Sequence, residues 1–154
     1  MVTTTVTLLS ACLAGVAAVC AADRADTEKA KLQGTWVLVY SEFEGVPFPR
    51  VMTEGRKVTF NGDKYCRAIT IKGVHDRTFV WNGTFKLAPS PKPSAIDFTE
   101  IGDNGKAVET RRGIYHVRGD KLRVCIGGPA DKRPSRFQSR KGDHRFVEEY
   151  TRQR

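Results

Sequence analysis

From Trp36 onward, apolar and polar residues alternate in short runs broken by turn signals. The clearest run sets Phe79, Trp81, Gly83, Phe85 and Leu87 against Val80, Asn82, Thr84 and Lys86. A period of two over that length predicts a half-buried antiparallel strand. Gly83 inside it predicts a bulge or bend. Trp36–Phe43 is apolar on both faces at its start, so its outer side needs a cover. Residues 26–32 (DTEKAKL) read as a short helix, with Asp26 as N-cap, Glu28 near the positive end and Gly34 as the stop. That helix is the candidate cover.

Arg56–Phe60 and Lys64–Ile71 flank Asn61-Gly62-Asp63, a tight-turn signal. Ala95–Ile101, Val108–Val117, Lys121–Ile126 and Arg145–Thr151 read as further strands. The proline-rich stretch Ala88–Ser94 predicts a stiff connection. Gly127–Asp143 reads as a long polar loop. About eight evenly spaced strands suit an all-β, antiparallel up-and-down barrel or a sandwich. No repeat and no second domain is visible.

Ahead of this lies an uncharged stretch, residues 1–22, dominated by Leu, Ala, Val and Cys from Leu8 onward. Cys20-Ala21-Ala22 offers the small residues that signal peptidase reads, so residues 1–22 are expected to be a signal peptide cleaved before Asp23. The pattern lacks a basic residue near Met1. Leu9-Ser10-Ala11-Cys12 resembles a lipoprotein box, but the apolar run continues beyond Cys12. The apolar stretch is short for a transmembrane helix, which needs about 20 such residues. The expectation is therefore export to a periplasmic or extracellular location, with no membrane span after cleavage; a lipoprotein or N-terminal anchor is the lesser alternative. The single domain would run from residue 23 to 154.

The formal net charge is +9. It is uneven: Ile101–Arg154 carries 14 basic and 7 acidic residues. Arg133, Arg136, Arg140, Lys141 and Arg145 concentrate in the long loop. Such a patch can hold an acidic envelope polymer or a protein partner, or can simply keep a loop in water. No nucleic-acid-binding motif accompanies it. Of four cysteines, Cys66 and Cys125 remain after cleavage. In an oxidising compartment they can form one disulfide, worth about 4 kcal/mol on the chain-entropy model. Two buried thiols are the equal alternative.

Several segments resemble a family of small exported proteins of planctomycete bacteria whose function is uncharacterised. They are Leu32-Gln33-Gly34-Thr35-Trp36, Gly83-Thr84-Phe85-Lys86-Leu87, Pro93-Ser94-Ala95-Ile96-Asp97, Gly113-Ile114-Tyr115, Gly119-Asp120-Lys121-Leu122, Cys125, and Arg133-Pro134 with Phe137. Cys66 falls outside that pattern, so the resemblance lends no support to a disulfide. It brings no substrate, cofactor or catalytic residue. A looser likeness is to the lipocalins, whose first strand opens Gly-x-Trp and whose last ends near an arginine. Gly34, Trp36 and Arg152 occupy such positions. The likeness implies a lipocalin-like barrel with the guanidinium packed over the indole, a contact worth about 0.5–2 kcal/mol.

Chemistry is harder to find. His75, His116 and His144 are scattered, with no partner at metal-ligand spacing. Asp97, Glu100 and His116 lie on adjacent strands and form the one acid/base grouping a hydrolase can be built on. No nucleophile elbow, phosphate loop or activated-cysteine context appears, and no cofactor is implied. Trp36, Tyr40, Phe60, Tyr65, Trp81, Phe85 and Tyr115 either fill the barrel or line a cavity for a small apolar or amphiphilic ligand. With so short a chain a filled barrel is expected. If it is hollow, the proline-rich connection and the long loop would rim its mouth. The two leading readings are a non-enzymatic ligand-binding barrel and a cell-envelope interaction module that uses the basic loop.

Overall fold

The computed structural model describes residues 23–72, 76–88 and 92–154. The leader (with Cys12 and Cys20), His75 and residues 89–91 of the proline-rich connection lie outside them. A helix, α1, covers residues 23–32. It is followed by β1 (Gly34–Phe43), the two-residue β2 (Val46–Pro47) and a single helical turn, α2 (Arg50–Thr53). Then come β3 (Arg56–Asn61), β4 (Lys64–Ile71), β5 (Arg77–Ala88) and β6 (Ser94–Ile101). The last three are β7 (Ala107–Arg118), β8 (Lys121–Pro129) and β9 (Phe146–Arg152).

Each long strand pairs antiparallel with the next, and β9 pairs back onto β1. The chain is thus a closed, eight-stranded up-and-down barrel of the lipocalin-like kind. Closure leaves no long unpaired edge. β2 is a short return onto the end of β1. The Asn61-Gly62-Asp63 signal forms the β3–β4 hairpin, with Gly62 at φ +63°.

The barrel is filled at one end. Trp36, Phe60, Phe85, Ile96, Tyr115 and Leu122 pack inside it, with Leu32 of α1 driven in as a plug. The Trp36 indole N–H donates to the Leu32 carbonyl at 2.7 Å. Helix α1 therefore closes an end of the barrel, where the sequence pattern had it covering β1, and Val39 on the outer side of β1 stays 57% exposed. A plug buries Leu32 completely, which a helix laid on the outer face need not do. Arg152 seals the same end. Its guanidinium lies 4.1 Å from the centroid of the Trp36 ring and donates to the Gln33 and Lys31 carbonyls at the end of α1. Gly34 makes room for it: φ is +102°, and a Cβ there would stand 3.3 Å from Arg152 Nη1.

Gly83 is neither bulge nor bend. The β4–β5 and β5–β6 ladders run through it unbroken. A Cβ would stand 2.2 Å from the Thr99 carbonyl oxygen and 2.6 Å from the Tyr65 ring. Glycine is needed because the Tyr65 ring crosses the strand at that point. β1 does carry a bulge, between Leu38 and Tyr40. It reverses the in/out phase beyond Val39. Leu38 points inward, Tyr40 outward, and Ser41 inward again opposite Glu148.

Gly127–Asp143 reads from sequence as a long polar loop; its first three residues belong to β8, and residues 130–145 form a strap packed on the barrel. Phe137 packs on Ile114, Cys125 and Val147 in a small outer cluster. Gly45 N–H donates to Ser139 Oγ at 2.8 Å, and that hydroxyl donates to Glu42 at 2.9 Å. Cys66 and Cys125 are free thiols. β4 and β8 are four steps apart around the barrel, so no disulfide links them. Burial pushes the Cys125 thiol pKa up. No helix among the described residues is long and apolar enough to cross a membrane.

Candidate functional site

Above the layer formed by Tyr65 and Phe98, whose rings meet edge-on at 5.1 Å, the barrel is hollow. A cavity of about 380 Å³ opens at the end away from α1. That size lies in the range of small-molecule sites. The same in/out alternation that buries the aromatics lower down turns charged side chains inward here. Arg67 follows Tyr65 on the inner face of β4. Glu148 lies between Phe146 and Tyr150 on β9. Glu109 and Arg111 precede Gly113 and Tyr115 on β7, and Glu100 follows Phe98 on β6.

These groups form a network. The Arg67 guanidinium stacks 5.1 Å above the Phe98 ring and lies 3.5 Å from the Glu148 carboxylate. Tyr150 donates its hydroxyl to Glu148 at 2.7 Å. Arg111 pairs with Glu109. Glu100 sits directly across from Glu109 in the β6–β7 register.

Burial disfavours the charge on Arg67, but Glu148 and its neighbours outweigh that and move its pKa up. Tyr150 is pushed well up, first by burial and then by Glu148. Tyr65 is raised chiefly by burial. Both phenols therefore stay protonated at neutral pH, and that of Tyr150 serves as the donor to Glu148. The remaining lining combines apolar Leu38, Ala68, Ile69, Trp81, Ile126 and Phe146 with the basic Arg56 and Lys57. Phe79 and Trp81 stack at 6.3 Å towards the mouth.

A second hollow, about 330 Å³, lies between α2 and the ends of β3 and β4. Val51, Met52 and Ile71 line it and are themselves exposed. Arg56 lines both hollows.

Of the seven aromatic candidates, Tyr65 and Trp81 line the cavity. Trp36, Phe60, Phe85 and Tyr115 are buried in the filled end. The β1 bulge puts Tyr40 on the outer face, where it donates to Glu42 at 2.5 Å. The described ends of the proline-rich connection, Ala88 on β5 and Ser94, whose strand partner is Tyr115, lie at the filled end rather than at the mouth. The strap does start and finish at the open end.

Within the strap, Arg133 donates to the Gly113 carbonyl at 2.7 Å and pairs with Asp97 at 2.8 Å. Arg145 faces Asp143 at 3.9 Å, and Arg140 donates to Gln138. Arg136 and Lys141 are exposed.

Asp97, Glu100 and His116 are not brought together. Asp97 is on the outer face with Arg133, His116 is exposed opposite Arg123, and Glu100 lines the cavity. His144 is 67% exposed, 3.8 Å from both Glu44 and Asp131. No cluster of metal-ligating groups occurs among the described residues.

Sequence reasoning missed Arg56, Arg67, Glu109, Arg111 and Glu148. The signal was present: each shares the inward phase of its strand with a buried aromatic or aliphatic residue.

Fold and site together define a closed β-barrel, plugged at one end and open at the other onto a half-apolar, half-ionic cavity. Comparison with protein-family models, curated proteins and solved structures gives no match.

Proposed function

We propose that the protein is an exported, non-enzymatic binding barrel that carries one small amphiphilic ligand in its open-end cavity. The observation that supports this most is the split lining. One part of the wall is aliphatic and aromatic, while Arg67, Glu148, Tyr150 and Glu100 present charge and hydrogen-bonding groups to the same space. A site meant only to stabilise the fold would be filled, as the other end is; burying ionic groups around an empty volume costs stability without return. Convergent polar groups on an apolar wall fix a ligand's orientation while burial supplies affinity.

Native mass spectrometry of the protein purified gently from its own host tests the reading. A stoichiometric adduct, released on denaturation, is the expected result. A bare mass that stays bare after incubation in host extract would move the function to the outer surface, where Arg136 and Lys141 are free to meet a partner.

A further inference from the structure

The cavity's ionic groups do not all find partners. Arg67 is matched by Glu148, and Arg111 by Glu109. Arg56 has no carboxylate within 4 Å among the described residues, and its Nε is buried without a hydrogen-bond partner. Arg67 Nε is likewise buried and unpartnered. The two arginines are neighbours. Arg56 is paired with Ile69 and Val58 with Arg67 across β3–β4, which puts the two guanidiniums on the inner face in diagonal positions. Arg56 also stands where the interior cavity meets the hollow under α2, with the Phe48 ring 5.8 Å from its guanidinium carbon. Buried donors without acceptors are costly, and a charged acceptor brought by a ligand would relieve that cost.

We infer that Arg56, backed by Arg67, is the anchor for the anionic head group of an amphiphile whose apolar body lies along Ile69, Trp81 and Phe98. This inference rests on the ligand-carrier reading and specifies its ligand class. The opposite wall limits that class further. Glu100 has no ion-pair partner among the described residues, Glu109 faces it across the strand pair, and both border the same space. A second anionic group carried to the far wall would meet like charge, so the ligand carries a single anion. A carboxylate suits the pair because two guanidiniums can share its two oxygens.

Isothermal titration of the purified protein with four twelve-carbon probes decides the matter: dodecanoate, 1-dodecanol, dodecylammonium and dodecanedioate, each below its aggregation threshold. Dodecanoate is expected to bind at least about tenfold more tightly than the alcohol or the diacid. Arg56→Gln should weaken dodecanoate by roughly tenfold and leave dodecanol unchanged, which also shows that the variant is folded. Arg56→Lys should retain most of the difference.

Equal binding of acid and alcohol would overturn the anion anchor while leaving the carrier standing. Tightest binding of the ammonium probe would overturn it in sign and point to Glu100. Diacid binding as tight as monoacid would remove the single-anion restriction. Failure of all four probes would count against the anchor and the carrier together.

Discussion

Trp36 and Arg152 are directly opposed across the β1–β9 seam that closes the barrel, and the Arg152 guanidinium lies 4.1 Å from the centroid of the indole. The same guanidinium caps the carbonyls at the end of α1. One side chain thus ties the first strand, the last strand and the plugging helix. Removing it loses a cation–π contact and two charge-assisted hydrogen bonds. Arg152→Ala should cost about 2–4 kcal/mol in chemical denaturation. Arg152→Lys should recover only part, because an ammonium lacks the planar fork that reaches both carbonyls. Ligand binding at the far end should be unchanged in any folded fraction. An unaltered denaturation midpoint for Arg152→Ala would show that the helix plug does not depend on this clamp.

Gly83 and Tyr65 make a second constraint, nearer the cavity. Gly83→Ala forces a methyl group against the Thr99 carbonyl and the Tyr65 ring. The ring must move towards the hollow, and over-packing of this kind costs about 1–3 kcal/mol. A melting curve should shift down and ligand capacity should fall with it. Tolerance of alanine without loss of stability would contradict the packing described for Tyr65.

The two tryptophans should separate stability from binding. Trp36 is fully buried, whereas Trp81 is 37% exposed at the cavity mouth. Trp36→Ala is expected to cost about 3–5 kcal/mol. Trp81→Ala should cost only about 1–2 kcal/mol, since less apolar surface is lost from the interior, yet it should weaken ligand uptake. Fluorescence quenching by ligand should persist in a Trp36→Phe protein and vanish in Trp81→Phe.

Acid stability has a local origin in the joint between strap and barrel. The Glu42 carboxylate accepts from Tyr40 and Ser139, and these bonds hold its pKa below the ordinary 4.5. A pKa depressed on folding contributes stability that is complete above the unfolded value and is lost as pH falls through the folded one. Glu42→Gln should therefore be less stable than the parent at pH 6–7, with the gap closing as pH drops below about 4. A gap that stays constant from pH 7 to pH 3 would assign the effect to shape rather than charge.

Thiol chemistry checks the outer cluster. Cys66 is partly exposed, while Cys125 is buried with its pKa raised by burial. A thiol-directed probe should modify Cys66 first and reach Cys125 only on unfolding. Equal mobility with and without reductant is expected on gels. A reductant-dependent shift would mean that the two thiols are joined.

The sequence made the strands legible because alternation is a local signal: β4 falls on the limits its pattern set, and the β3–β4 turn follows from Asn61-Gly62-Asp63. The Gly34–Trp36–Arg152 closure was legible because its spacing carries a specific contact. The cavity was not, for two physical reasons. A single bulge at Val39 reversed the phase of β1 and carried Tyr40 outside, and nothing in Val-Leu-Val-Tyr marks where that slip occurs. The sequence reading also assigns the lining of any cavity to the aromatic set, whereas charged side chains supply much of it. Phe146-Val147-Glu148-Glu149-Tyr150 places Glu148 in phase with Phe146 and Tyr150, and Lys64-Tyr65-Cys66-Arg67 places Arg67 in phase with Tyr65. Charges on the inner phase of a strand are expensive inside a core, so their presence is the mark of a site that is not filled. Tertiary context was needed for the strap, whose basic residues read as solvated although Arg133 bonds to the Gly113 backbone.

The most direct test of the central claim is to titrate dodecanoate into isotopically labelled protein and map which backbone amides respond. The account predicts shifts at Arg67, Trp81, Phe98 and Glu148 around the open end, with Trp36, Tyr115 and Leu122 at the plugged end silent. Shifts confined to residues 130–145, or none anywhere, would contradict a ligand-carrying cavity.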